Sequence, residues 1–370
     1  MRNTYAKIFL NNLKYNILNI KKKINLTKIM TVVKADAYGH GAVELVKYLE
    51  NSPEIKPDYL GVAILDEAIE LRNSGSQLPI LVFSPIDLDE INFYIENNLN
   101  ATIHSFFQID AINNLQLTKP LNIHIKVDTG MGRIGFFPNE LEKAFYLLDK
   151  MPNIKINGIY THLSCSDNPN DDFSYKQLDI FNTVVSKLKA NYDIGLVHAA
   201  NSGAILNFPE AYFDMVRPGI MLYGYKPALE SLDTVDLKPV MQLITKVNTI
   251  KEFEKNYPIS YSRRYYTKAK TKIISLPLGY ADGIKRQLTN KMRCIINDKY
   301  YPQVGTVCMD RIMFDIGNED NIKIDDEVIL LGETQNCKID AWEWCNINNT
   351  IPYEITCSIS KRIKRVYINE

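Results

Sequence analysis

The stretch VVKADAYGHG, Val32 to Gly41, carries an apolar segment into Lys34 and then into a turn bracketed by Gly39 and Gly41. A lysine in that place has two uses. It can be a solvated charge at a strand edge, which is the ordinary case. It can also stand at the mouth of a pocket, where partial burial favours the neutral amine that attacks a carbonyl to form an imine. Other reactive side chains follow apolar runs in the same way. KVDTGMGRIG carries Lys126, Asp128 and Arg133, INGIYTH ends on His162, HAANSGA carries Ser202, and VRPGI carries Arg217, Gly219 and Ile220. Each alone is more simply a salt-bridged interior or solvated group. Five strand ends of this kind together point to a site.

Such residues need a scaffold that gathers strand ends on one side. The first two thirds of the chain alternate short apolar runs with amphipathic ones. The runs are IMTVVK (29–34), YLGVAI (59–64), PILVF (79–83), ATIH (101–104), NIHIKVD (122–128), INGIYTH (156–162), GLVHA (195–199) and FDMVRPG (213–219). Segments with helical spacing, such as ELEKAFYLLDK and QLDIFNTVVSKLKA, lie between several of them. Eight strand-like runs interleaved with helices predict a parallel sheet closed into a (β/α)8 barrel, an α/β fold of roughly 250 residues whose chemistry gathers at the C-terminal strand ends. In NIHIKVD the alternation puts Ile123, Ile125 and Val127 on one face and His124, Lys126 and Asp128 on the other. The apolar face would meet the helices and the polar face would line the interior.

The texture changes near residue 235. MQLITKVNTI, TKIISLPLGYADG, KMRCIIN, YYPQVGTVCMD, RIMFDIG and EVILLGE are short β-type runs separated by turn residues. They predict a mainly β C-terminal domain. The expected division is 1–236 for the barrel and 237–370 for the β domain, with ALESLDTVDLKP as linker and the first few residues pairing with the second domain.

Composition excludes several classes. Lys+Arg and Asp+Glu are both 43, so the chain lacks the basic excess of a general nucleic-acid or acidic-membrane binder. The 6 cysteines form no CxxC and match no zinc spacing, and the 5 histidines form no HExxH pair, so no metal is expected. Isolated thiols fit a reducing, cytoplasmic setting. MRNTYAKIFLNNLKYNI is too polar for a signal peptide, and no apolar run reaches the length of a transmembrane helix.

The residues themselves suggest a cofactor. A lysine for an imine, donors for a phosphate and an arginine for a ring nitrogen are what pyridoxal 5'-phosphate needs. Lys34 suits the first role. The Ser202 hydroxyl and the backbone at Gly219–Ile220 suit the second, placed where barrels often hold a phosphate. Two ordinary βα turns would look the same in isolation.

The motifs VVKADAYGHG, KVDTGMGRIG, THLSCSD, HAANSGA, VRPGIMLYG, SYSRRY, LPLGYADG, VGTVCMD and IPYEI occur in this order, and the chain closes with SKRIKRVYI. Over its full length the chain resembles the alanine racemase family. That resemblance implies a pyridoxal-phosphate enzyme that racemises alanine with one base on each face of the substrate Cα. Lys34 resembles the cofactor-bearing lysine and one base; Tyr261 resembles the other, supplied across the interface of a homodimer. Tyr38, Ser202, Gly219, Ile220 and Tyr353 resemble phosphate ligands. Arg217 resembles the ring-nitrogen partner, with His162 as a helper between it and Tyr261. Arg133 and the backbone of Met309 resemble the substrate-carboxylate site, Tyr280 part of a narrow entrance, and Lys126 a carbamylated lysine. An always-charged arginine disfavours protonation of the ring nitrogen beside it, which weakens the ring as an electron sink and favours reprotonation at Cα.

Two departures stand out. Ser262 follows Tyr261 where the family commonly has glycine, and RIKRVYI lacks a proline often found there. His40 has no implied role and reads as a turn histidine. The competing readings are a serine or broad-spectrum racemase of the same fold, a barrel decarboxylase using the same cofactor, and a non-catalytic pyridoxal-phosphate-binding barrel. The second domain with Tyr261 weighs against the last.

Overall fold

A computed structural model describes residues 3–115 and 117–369. Met1, Arg2, Gln116 and Glu370, which fall inside the expected domain bounds, lie outside the described residues. The chain forms two compact units. Of the described residues, one unit comprises those in 14–37 and 42–237; the other comprises 3–13, 38–41 and 238–369.

Tyr5–Phe9 is β1, paired antiparallel with β10, Met241–Lys246, and parallel with β20, Lys364–Ile368. It thus belongs to the second unit. The barrel strands are β2 (Lys28–Val32), β3 (Tyr59–Val62), β4 (Ile80–Pro85), β5 (Leu99–Ile103), β6 (Leu121–Lys126), β7 (Ile154–Tyr160), β8 (Leu196–His198) and β9 (Met215–Val216). They pair in parallel in the order β8-β7-β6-β5-β4-β3-β2-β9. At the closing seam the Asp214 amide donates to the Val197 carbonyl at 3.0 Å and the Arg217 amide to the Ala200 carbonyl at 2.8 Å. All eight predicted runs are barrel strands, and the two helical patterns are the helices Leu141–Leu148 and Phe173–Lys189.

Alternation positions the interior. Ile123, Ile125 and Val127 are fully buried, each contributing about 1.5–3 kcal/mol of apolar burial. His124 and Lys126, on the opposite face of β6, meet the side chains of neighbouring strands instead. Register places Thr102 beside His124, Lys126 beside Tyr160, and Tyr160 beside His198. A polar layer therefore crosses the barrel near its C-terminal end.

The second unit is mainly β. Its further strands are β11 (Thr249–Phe253), β12 (Pro258–Ile259), β13 (Tyr265–Tyr266), β14 (Thr271–Leu276), β15 (Arg293–Ile296), β16 (Lys299–Pro302), β17 (Ile312–Gly317), β18 (Glu327–Glu333) and β19 (Lys338–Ile339). One sheet runs β16-β15-β18-β10-β1-β20 and a second runs β11-β14-β17. Two short helices, Ala341–Asn348 and Pro352–Ser358, follow. Among the described residues no helix is long and apolar enough to cross a membrane.

Candidate active site

Lys34 is not the last residue of its strand. β2 ends at Val32, and Lys34 opens a helical turn, Lys34–Gly39. That turn is left-handed: φ is +52° at Ala35, +53° at Asp36 and Ala37, and +54° at Tyr38. Left-handed backbone costs an L-residue roughly 1–2 kcal/mol and normally occurs one residue at a time. Several hydrogen bonds offset the cost. The Ala35 amide donates to Glu67 Oε1 at 2.6 Å, and the Ala42 amide donates to Asp36 Oδ1 at 2.8 Å. The Ala37 amide returns to the Val33 carbonyl at 2.8 Å. His40 is buried and its Nδ1 donates to the Tyr38 carbonyl at 3.0 Å, so this turn histidine clamps the segment.

The end of the turn packs within the second unit. A Cβ on Gly39 would lie 2.3 Å from the Thr356 carbonyl oxygen, and φ there is +83°. Only glycine fits. Arg365 Nε donates to the Gly39 carbonyl at 2.9 Å. The Tyr38 ring lies 5.7 Å from that of Tyr353. Burial pushes the Tyr38 hydroxyl well above its ordinary pKa, with Tyr353 and Cys357 adding to the shift. It remains a protonated donor at neutral pH.

In the barrel, Arg217 is buried, and no carboxylate among the described residues pairs with it. Its Nη1 lies 2.9 Å from His198 Nδ1. Its Nη2 donates to the Thr161 carbonyl at 2.7 Å and the Ala199 carbonyl at 2.9 Å, and reaches His162 Nδ1 at 3.4 Å. Burial lowers its pKa to about 10, which still leaves it a cation at pH 7. His162 is held well below its usual range, first by burial and then by Arg217, Arg133, Lys126 and Lys34. The imidazole is neutral, with the basic side chains of four residues acting on it.

Lys126 donates from Nζ to the Val127 carbonyl at 2.6 Å and lies 5.5 Å from the centre of the Tyr160 ring. Burial, followed by Arg217, lowers it to about 7; Asp128 opposes this and Arg133 adds to it. Asp128 accepts from the Gly130 and Gly132 amides at 2.8 and 3.1 Å, which shapes the loop bearing Arg133. Arg133 itself is exposed.

Ser202 opens the helix Ser202–Asn207, whose N-cap is Asn201. Its Oγ accepts from the Gly219 amide at 2.9 Å and from the Met221 amide at 3.5 Å. With those amides donating to its lone pairs, the hydroxyl proton is left to donate. Ile220 begins the short helical turn Ile220–Tyr223.

The donor set fits an anionic cofactor. Lys34, Lys126, Arg133 and Arg217 act on one histidine, and Asp128 is the carboxylate that acts on Lys126. A phosphate would match this excess of positive charge.

The remaining candidates lie in the second unit. Tyr261 begins the turn Tyr261–Arg263 and is 71% exposed. Ser260 Oγ donates to the Thr306 carbonyl at 2.7 Å, and Thr306 Oγ1 donates to the Tyr261 carbonyl at 2.8 Å. Tyr261 and Cys308 line a largely apolar cleft of about 520 Å³. Met309 follows Cys308 and is exposed, and the amides of Tyr280 and Ala281 donate to the carbonyls of Cys308 and Met309 at 3.0 and 3.1 Å. Hydroxyl bonds from Ser260 and Thr306 hold the Tyr261 turn to the 306–309 segment, and backbone bonds hold Tyr280 to the same segment. Ser262, at the position where glycine is common, has φ +60°.

Sequence reasoning did not assign His124, His198 or Glu67. The parity of NIHIKVD puts His124 on the polar face; nothing in the sequence marks Glu67.

The N-terminal domain model of alanine racemase matches residues 8–227, and its C-terminal domain model matches residues 240–367. The alanine racemase of Clostridium novyi is 43% identical, over 100% of this chain and 96% of that protein. Alanine racemase 1 of Clostridium acetobutylicum is 40% identical, with the same coverage of each. The solved alanine racemase of Clostridium difficile 630 superposes with a TM-score of 0.93 at 38% identity, covering 100% of this chain and 96% of that one. Matches at this identity along the whole length, on a barrel with these strand-end cations, make the chain a member of the alanine racemase family.

Proposed function

We propose that the chain is a pyridoxal 5'-phosphate-dependent racemase that interconverts L- and D-alanine by a two-base mechanism, works as a cytoplasmic homodimer, and supplies D-alanine for peptidoglycan. The observation that carries this reading is the cluster of cations around a neutral His162 at the barrel strand ends, in a chain of this family. We place the functional division at residues 236 and 237, with the cofactor held mainly by the barrel.

When bound, the cofactor supplies the electron-withdrawing group that acidifies the substrate Cα–H. Lys34 binds it covalently through Nζ. Tyr38, Ser202, Tyr353 and the Gly219–Ile220 backbone hold its phosphate. Arg217 cannot release its proton at neutral pH, so it would donate to the ring nitrogen and disfavour its protonation. Arg133 and the Met309 backbone hold the substrate carboxylate, and Tyr280 narrows the entrance to a small side chain. Displaced from the cofactor by the substrate amine, Nζ of Lys34 would be a free amine able to take or return the α proton on one face. Oη of Tyr261, contributed across the dimer interface, gives or takes one on the other. His162 and Arg217 assist Tyr261 through hydrogen bonds.

Lys126 is the modification site. Its amine is half neutral near pH 7, so Nζ can add to the carbon of CO2 and lose a proton to solvent. The resulting carbamate anion holds Arg133, which an ammonium would repel.

The test is a racemisation assay with purified protein, added pyridoxal phosphate and a panel of L-amino acids. Alanine should turn over fastest. Faster turnover of serine would change the substrate, and no racemisation of any amino acid would refute the reading. In Lys34→Ala, no cofactor should be trapped on the protein by borohydride.

A further inference from the structure

Arg217 is an obligate donor, and that fact fixes protons two residues away. Its Nη1 lies 2.9 Å from His198 Nδ1, so Nδ1 must accept. A neutral imidazole carries one proton, which on His198 is then on Nε2. That atom lies 2.9 Å from His124 Nδ1, which accepts it in turn. His124 therefore carries its own proton on Nε2, and this buried atom has no hydrogen-bond partner among the described residues. A buried donor without an acceptor is disfavoured. What the position supplies in exchange is the acceptor at Nδ1.

The surroundings are built for this arrangement. His198 stacks on Tyr160 with ring centres 4.9 Å apart and planes 5° apart. His124 meets the Tyr59 ring edge-on at 5.8 Å. A Cβ on Gly158 would lie 2.5 Å from His124 Nδ1 and 2.6 Å from the Leu196 carbonyl oxygen. The glycine thus leaves room for the accepting nitrogen. Burial, followed by Arg217, lowers His124 to about 3, and the same two causes hold His198 well below its usual range, so both rings are neutral as the relay requires.

We propose that His124 is a positioning residue for the reaction: by accepting from His198 Nε2 it fixes the His198 tautomer and keeps Nδ1 free to hold the Arg217 guanidinium. Its link to catalysis rests on the reading of Arg217 as the ring-nitrogen partner. The tautomer assignment does not.

The experiment uses full-length protein labelled with 15N-histidine, in which the ring-nitrogen shifts report tautomer directly. The signals are assigned by loss in single variants. His198 should be protonated on Nε2 in the parent and in His124→Asn, whose side-chain oxygen stands in for Nδ1. In His124→Leu the Nε2 proton loses its acceptor, so it should move to Nδ1, which breaks the Arg217 contact that otherwise requires Nδ1 to accept. Protonation of His198 on Nδ1 in the parent would overturn the relay, as would an unchanged tautomer in His124→Leu. In parallel, kcat for alanine should fall about tenfold in His124→Leu, the size of one lost buried partner, with most of it recovered in His124→Asn. A switched tautomer with unchanged kcat would overturn the link to catalysis and leave the racemase reading standing. If His124→Leu fails to fold, the parent and His124→Asn spectra still decide the relay.

Discussion

Glu67 accepts the amide of Ala35 at 2.6 Å on one carboxylate oxygen and the amide of Ala63 at 2.7 Å on the other. One side chain ties the residue after Lys34 to the end of the neighbouring strand. The position of Lys34 thus depends on a carboxylate that touches no proposed ligand.

Glu67→Ala removes both acceptors at a backbone that is already strained. Stability should fall by about 2 kcal/mol, and bound cofactor should be lost more readily on dialysis. Urea denaturation and cofactor absorbance measure the two effects. A variant as stable as the parent would release Glu67 from this role.

Tyr261→Phe keeps the ring and deletes the proton-bearing oxygen. Cofactor binding should be unchanged while racemisation falls at least about 100-fold, the usual scale for losing a general acid–base group. Retained activity would rule out the two-base scheme.

Lys126 makes stability depend on pH. An unfolded lysine titrates near 10.4, and the folded one is lowered to about 7. Below pH 7 both states hold the proton and the burial penalty is fully present. Between pH 7 and 10 the unfolded state holds a proton that the folded state has released, so stability rises with pH by up to about 1.4 kcal/mol per unit. Lys126→Met should remove that slope. Urea midpoints at pH 7, 8 and 9 in CO2-free buffer provide the comparison, and parallel curves for the two proteins would count against a depressed lysine.

Ser262→Gly tests the departure beside Tyr261. Serine at φ +60° bears a steric cost that glycine does not, partly offset by the greater freedom of glycine in the unfolded chain. A gain of about 0.5–1 kcal/mol is expected. A drop in melting temperature would mean that the serine side chain contributes a contact outweighing its backbone strain.

The barrel was legible because its signals are local and repeated. Eight apolar runs, five of them leading into unusual polar residues, fit few architectures besides a closed parallel sheet, and the parity of NIHIKVD separates the helix-facing isoleucines from His124 and Lys126. Handedness was not legible. Ala35 and Ala37 are good right-handed helix formers, and the contacts that hold the opposite sense, from Glu67, Asp36 and His40 and from the close packing of Gly39 on the Thr356 carbonyl, are tertiary or depend on the folded turn. The histidine relay was half visible. Parity gives the direction of His124, but its partner His198 is 74 residues away, and only register across β6, β7 and β8 joins them.

The left-handed turn after Lys34 also bears on how this segment can vary. Ala35 and Ala37 bear no reactive group, yet β-branched side chains are poorly tolerated at positive φ. Saturation mutagenesis across 35–38 should therefore find the alanines nearly as intolerant as Tyr38, for reasons of shape alone. Invariance within such a stretch would then measure backbone handedness as much as chemistry.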